Sequence, residues 1–387
     1  TRVNKEGLIE TAAIDTPRLD YPLIDGVVQS EPALLLEPAR TQLIQYSEDF
    51  SQSYWTKGNG SVASGYLSPS GDINAYKLTE DLNNNNHYIL SSPIASLSGD
   101  ISISIFAKKG ERNWIRLVNN NIVGAYFNLN DGSIGTTGTG VTAKMKNYGN
   151  GWFRCTIIKN RSVAATERLI VYTSIDGTGT SYQGDGASGV YIYGAQLEEG
   201  SYPTSYIPTS GSAVTRAAET ASGAGTSDDF NDSEGVLYAE IAALANDGTY
   251  RAISISDGSY SNTCLFRYGG SSNRTNVLVT SSNSTIFDNN TTSLNILNFN
   301  KIVLKYKQND FSFWVNGFEV ATITSGNTPS GLSQLQFADS DNTVSTFYGR
   351  TKEVAVFKTS LTDSELESLT SWDSFSDMAT GQEYSIR

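Results

Sequence analysis

The chain holds one histidine, His87, directly after the run Asn83-Asn84-Asn85-Asn86. An imidazole titrates near neutrality and is the commonest general base, but neither a nucleophile elbow nor a zinc-binding pair accompanies this one. A solvent-exposed loop position is therefore expected for His87. Paired carboxylates are the other acid–base possibility, and glycoside hydrolysis requires two of them about 5 to 10 Å apart. Glu198 and Glu199 are adjacent near a strand end, where alternation sends neighbouring side chains to opposite faces, so a surface role fits them better. Asp72, Asp81 and Asp131 lie in turn-rich segments and offer oxygen ligands for a structural calcium, without the regular spacing of a known loop. The reading is that there is no catalytic residue and no cofactor, with a structural calcium left open.

Binding a sugar needs different side chains: aromatic faces for C–H surfaces and polar groups for hydroxyls. Strand parity says where they meet. In Trp114-Ile115-Arg116-Leu117 the apolar Ile115 and Leu117 face a core and leave Trp114 and Arg116 on the opposite face. In Ala125-Tyr126-Phe127-Asn128-Leu129, Tyr126 and Asn128 oppose the apolar set in the same way. Tyr172 stands between Val171 and Thr173, although Ile170 shares its face. Trp114, Arg116, Tyr126, Asn128 and Tyr172 thus form a candidate carbohydrate-binding face, the alternative being that they pack under a loop or a neighbouring subunit. Trp314, opposite Phe313 and Val315, is a second candidate and would share its face with Lys305 or Arg267.

These residues need strands to position them. The alternation in Ile101-Ser102-Ile103-Ser104-Ile105 marks a half-buried strand, and similar short runs follow at 114–118, 125–129, 153–158, 169–174 and 190–195. At 387 residues the chain is too long for one ordinary sandwich, and its 35 glycines suit short strands joined by many turns. Residues 1–40 carry apolar pairs separated by Pro17, Pro22, Pro32 and Pro38 and read as an extended arm. Residues 41–208 read as a jelly-roll sandwich, and 209–229, almost without large apolar side chains, as a linker. Residues 230–387 read as a second sandwich, in which Asn316-Gly317 supplies a type I′ hairpin. Near its end Thr362 and Glu365 form a capping box, with Leu361 stapled to Leu366, which predicts one short helix to about Leu369. The predicted fold class is all-β: two antiparallel β-sandwich modules and one short C-terminal helix.

Charge narrows the function. With 27 basic and 40 acidic residues the net charge is −13, which disfavours nucleic acid and anionic lipid. No apolar stretch is long enough to span a membrane and no signal peptide opens the chain. Cys155 and Cys264 each sit in an apolar strand-like run and are expected as two buried free thiols. Thr1 in place of a starting Met leaves open a processed product or a piece of a longer chain.

Several phrases, in order, resemble phage tail proteins and related prophage-encoded surface proteins: Leu34-Leu35-Leu36-Glu37-Pro38-Ala39-Arg40-Thr41-Gln42-Leu43, Tyr46-Ser47-Glu48-Asp49-Phe50, Ser53-Tyr54-Trp55-Thr56-Lys57, Phe106-Ala107-Lys108, Gly149 to Cys155, and Gly194 to Gly200 followed by Pro203 to Pro208. The first module resembles a carbohydrate-binding-module jelly roll, and the second a concanavalin A or laminin-G sandwich. The resemblance implies a virion or extracellular location and a tail-fibre adhesin, often trimeric, that binds host surface glycan and contacts other tail proteins. The rivals are a polysaccharide lyase or hydrolase on the same scaffold and a purely structural virion part. Leu8, Ile9, Ile14, Leu19, Leu23 and Ile24 have too little local chain to bury them, which also points to a homo-oligomer.

Overall fold

The computed structural model describes residues 1–120, 123–341 and 345–371. The end of the expected second module, residues 372–387, lies outside the described residues. The protein is nearly all-β, built of antiparallel sheets, with one α-helix among the described residues. It divides into two compact units, Thr1–Pro32 with Ala39–Ala218, and Ala33–Pro38 with Glu219 onward.

In the first unit two six-stranded sheets enclose one core. One runs in the order Val141–Asn147, Trp152–Glu167, Ile94–Lys109, Gly189–Glu199, Ala75–Glu80, Gly60–Tyr66. The other runs Ile134–Thr137, Gly124–Asn128, Trp114–Val118, Ile170–Ser174, Tyr88–Ser91, Trp55–Gly58. Successive strands change sheets, from Tyr88–Ser91 to Ile94–Lys109 and back to Trp114–Val118, the crossing pattern of a jelly roll. Ile101, Ile103 and Ile105 from one sheet meet Ile115, Leu117, Phe127 and Val171 from the other.

The Ile101–Ile105 strand departs from its half-buried expectation: Ser102 and Ser104 are buried too. Ser104 Oγ accepts from Arg154 Nε at 3.2 Å and Nη2 at 3.0 Å, and the same guanidinium stands 5.4 Å over the Phe106 ring. Alternation records polarity, and a polar residue can be buried when a partner on the next strand satisfies it, as Arg154 does for Ser104 though not for Ser102, whose hydroxyl has no partner among the described residues.

The arm is not free either. Residues 1–32 belong to the first unit, where Ile9 packs with Phe106, Trp152, Tyr193 and Tyr206, and Thr1 Oγ1 donates to Tyr206 O at 2.7 Å. Leu23 is also buried, whereas Ile14, Leu19, Ile24 and Val27 are exposed.

In the second unit the larger sheet orders its strands Ala33–Leu36, Gly349–Phe357, Glu234–Ala243, Asn300–Lys307, Asp310–Val315, Phe318–Ile323. Ala33–Leu36, expected in the arm, is thus a strand of this sheet, with Leu36 opposite Gly349 and Leu34 opposite Thr351. The facing sheet runs Ser284–Thr291, Thr275–Ser281, Thr263–Tyr268, Arg251–Ser256, Gln334–Gln336. Asn316 and Gly317 turn the hairpin with φ of 49° and 85°. The capping box forms: Thr362 N donates to Glu365 Oε2 at 2.7 Å and Glu365 N to Thr362 Oγ1 at 3.4 Å, opening the helix Asp363–Ser371. Cys155 and Cys264 are buried free thiols, one in each core.

Residues 209–229 do not hang free as a linker. Val214–Arg216 pairs with Arg40–Gln42, Glu219 N donates to Glu37 O at 3.0 Å, and Ala224 bridges Leu335. Small polar residues bury little area, yet their backbone groups complete sheet edges.

Candidate functional site

The Trp114 sheet turns one face to the core and one outward. Ile115, Leu117, Phe127 and Val171 are fully buried inside, which leaves Trp114, Arg116, Tyr126, Asn128 and Tyr172 on the outer face. Register then sets their neighbours. Arg116 is opposite Tyr126 on one side and Tyr172 on the other, Tyr172 is opposite Tyr88, and Tyr88 is opposite Gly58. One cross-strand row therefore reads Gly58, Tyr88, Tyr172, Arg116, Tyr126. Strand spacing makes the distance from Tyr88 to Tyr126 about 14 Å.

Contacts within the row orient each group. The Tyr88 and Tyr172 ring centroids are 5.2 Å apart, and the Arg116 guanidinium carbon stands 5.3 Å from the Tyr126 centroid. Tyr126 Oη donates to Thr178 O at 3.0 Å. Trp114, in the next row opposite Asn128 and Ser174, is half-buried because Gly135 and Gly177 let two segments approach its indole. A Cβ at Gly177 would stand 2.6 Å from Trp114 Cε3, and one at Gly135 3.0 Å from Cζ3. Asn128 Nδ2 donates to Asp131 Oδ2 at 2.9 Å. The other end of the face is apolar, with Val118, Ile170 and the half-buried Leu90.

Burial, then the neighbouring Tyr88, raises the Tyr172 phenol above its ordinary value against the pull of Arg116. At the rim, backbone N–H of Thr178 holds the Asp176 carboxyl low. Tyr126 and Tyr172 are themselves buried, at 7% and 9% exposure, so what the face offers outward is the half-buried Trp114, Tyr88, Arg116 and Asn128: two aromatic groups, a planar cationic donor and an amide, a combination that suits sugars and their acidic derivatives. Tyr88 escaped the sequence reading, although Ile89 in the core shows the alternation that would have found it.

Several expectations change. His87 is not a solvent-exposed loop residue: it is 1% exposed, with Nδ1 2.6 Å from Asn59 O and Nε2 3.2 Å from Tyr182 O. Polar asparagines precede it, but the Asn84–Asn86 strand pairs with Ser181–Gln183, whose Tyr182 ring covers the imidazole at 4.6 Å. Beside it lies a polar network centred on the buried Glu80 and absent from the sequence reading. Arg112 donates through Nε, at 2.8 Å, and Nη2 to the Glu80 carboxylate, which also accepts from Tyr182 Oη at 2.8 Å and Asp185 N at 2.9 Å. Only the meeting of three distant segments, around residues 80, 112 and 182–185, assembles it.

Glu198 is not a surface residue: it is buried, and Thr204 donates to it through N at 2.9 Å and Oγ1 at 2.6 Å, while Glu199 is exposed. Trp314 is not an open binding residue: it is 6% exposed, beneath Leu366 and Leu369 of the helix. It does share the face of Lys305, which is held by Asp310 at 2.8 Å, whereas Arg267 lies on the other sheet. Asp72, Asp81 and Asp131 serve separate turns, accepting from Ser70, Asn83 and Ser133 respectively. Among the described residues no three His, Cys, Asp or Glu side chains gather as a metal site.

Residues 228–367 match the family model of the concanavalin A-like lectin/glucanases superfamily. The matched residues lie within the second unit, whose two facing antiparallel sheets form a sandwich. Solved structures similar to this chain include the CBM40 module of Ruminococcus gnavus IT-sialidase bound to α2,3-sialyllactose, 14% identical over 36% of this chain and 84% of that chain, with a TM-score of 0.32. The mouse laminin α1 domains LG4-5 are 9% identical over 79% of this chain and 94% of that chain, with a TM-score of 0.28. The comparison with curated proteins found no match.

Proposed function

We propose that this protein is a non-catalytic adhesin of a phage tail or related virion surface, which binds host-cell polysaccharide through the outer face of its first sandwich. The observation that carries the reading is the registered row Tyr88, Tyr172, Arg116, Tyr126, bordered by Trp114 and Asn128. The half-buried Tyr88 and Trp114 give aromatic surface at the two ends, the buried Tyr172 and Tyr126 rings brace Arg116 between them, and its guanidinium supplies directional donors. The tail origin rests on the phrases between residues 34 and 208, and the glycan class is further supported by the lectin superfamily match of residues 228–367. Weak single sites would gain avidity in a trimer, for which the exposed Ile14, Ile24 and Val27 offer an apolar contact, and the same surface would meet other tail proteins.

The test is an array of bacterial surface polysaccharides probed with the native chain, Trp114→Ala and Arg116→Ala, with size-exclusion analysis of each bound polymer. Binding by the native chain, its weakening in both variants and unchanged polymer length are expected. A blank array sides with a purely structural role, and shortened polymer with a lyase or hydrolase. Sedimentation as a monomer would remove the trimer.

A further inference from the structure

The five-stranded sheet of the second unit also has an outer face, and it carries a cation held by two neighbours. Phe266 and Tyr268 point into the core, so Arg267 points outward, opposite Ala252 on one neighbouring strand and Asn276 on the other. Asn276 is fully buried, and its amide is anchored at Nδ2 by Asp288 Oδ1 at 2.7 Å and Asn289 O at 2.8 Å. That anchoring leaves Oδ1 aimed at Arg267, whose Nε donates to it at 2.9 Å.

The guanidinium carbon stands 4.8 Å from the centroid of the Tyr250 ring, which is 41% exposed. Tyr260, 38% exposed, is engaged with carboxylates instead, its hydroxyl on Asp339 and Asp341 close by. A second cation shares the rim. A Cβ built at Gly270 would stand 2.7 Å from Tyr250 Oη and 2.8 Å from Arg274 Nη1, so a side chain there would close the space these groups occupy. Arg267 is thus fixed at Nε and stacked on one face, and its Nη edge has no hydrogen-bond partner among the described residues. An arginine held this way presents two parallel N–H donors at little entropic cost, the geometry that a carboxylate matches.

We propose that Arg267, Tyr250 and Asn276, with Arg274 at the rim, form a second binding site specific for carboxylate-bearing sugars. Arg267 pairs with the carboxylate, Asn276 orients the guanidinium, and Tyr250 receives the sugar ring. This site is independent of the face in the first sandwich.

The probe is tri-galacturonate and its methyl ester, titrated calorimetrically into the full-length chain and into Arg267→Ala, Arg267→Lys, Tyr250→Leu and Arg116→Ala. The native chain should bind the acid at least about tenfold more tightly than the ester, the range expected for one lost charge-assisted pair. Arg267→Ala and Arg267→Lys should lose that preference, and Tyr250→Leu should weaken binding while keeping Arg267, each with an unchanged melting temperature. Arg116→Ala changes the first-sandwich face, so any affinity it loses belongs to that face, while the acid-over-ester preference carried by Arg267 should remain. Equal binding of acid and ester, or full binding by Arg267→Ala, overturns the proposal. Loss of binding in Arg116→Ala alone overturns it too and leaves the first-sandwich reading standing, whereas loss in Arg267→Ala alone supports it.

Discussion

The Tyr88 ring occupies the space beside Gly58 into which a side chain would project, the two being partners across the Tyr88–Ser91 and Trp55–Gly58 strands. A Cβ added at Gly58 would stand 2.2 Å from Tyr88 Cζ, far inside van der Waals contact. Gly58→Ala is therefore expected to lift Tyr88 off Tyr172, at a cost of about 1–3 kcal/mol for the overpacked contact. Polysaccharide binding should fall with it, measured beside thermal unfolding. Unaltered binding with a displaced ring would separate Tyr88 from the site.

Trp114→Ala and Trp314→Ala should part company. Trp314 is buried beneath the helix, so its truncation should cost about 3–5 kcal/mol and lower the melting temperature by several degrees. Trp114 is half-buried, and its truncation should cost about 1–2 kcal/mol while weakening glycan binding. Equal losses of stability would show that Trp114 is a packing residue first.

Arg112→Ala should unfold the first unit more readily than any exposed change. Its partner Glu80 has no side-chain exposure, so removing the guanidinium strands a buried carboxylate, typically at about 3–5 kcal/mol. Burial raises the Tyr182 phenol, which leaves Glu80 a neutral hydrogen-bond donor but no second cation. Denaturant unfolding of the variant measures the effect, and a loss under 1 kcal/mol, about a tenth of a typical domain's stability, contradicts it.

Acid should weaken the first unit through Asp49. Burial works to raise its carboxyl, but hydrogen bonds from Ser51, Gln52 and Tyr76 outweigh it and lower the group from 3.8 to about 2. A lowered native value means the stabilisation is present above pH 3.8 and is lost as pH falls through about 2. Circular dichroism during acid titration should show a shallower loss between those values in Asp49→Asn. A superimposable titration curve would exclude Asp49 as a contributor.

A fragment beginning at Phe230 should be less soluble than one that also carries residues 33–38. Without Ala33–Leu36 the Gly349–Thr351 backbone becomes an open sheet edge, a template for aggregation. Sedimentation of the two fragments decides the matter, and equal monodispersity would show the added strand to be dispensable.

What the sequence settles by itself is whatever one element encodes locally. Parity around Ile115, Leu117, Phe127 and Val171 assigns the two faces of the Trp114 sheet, because pleating makes alternation obligatory. Asn316-Gly317 and the Thr362–Glu365 pair set a turn and a cap, since both are short-range backbone requirements. Tertiary structure alone decides what covers a face once it is assigned. Nothing near Trp314 announces the helix beginning at Asp363, nothing near His87 announces Tyr182, and nothing in Leu34-Leu35-Leu36 announces Gly349. Burial on a second face depends on partners distant in sequence, and the register that aligns Tyr88 with Tyr172 and Arg116 exists only after three separate strands have paired.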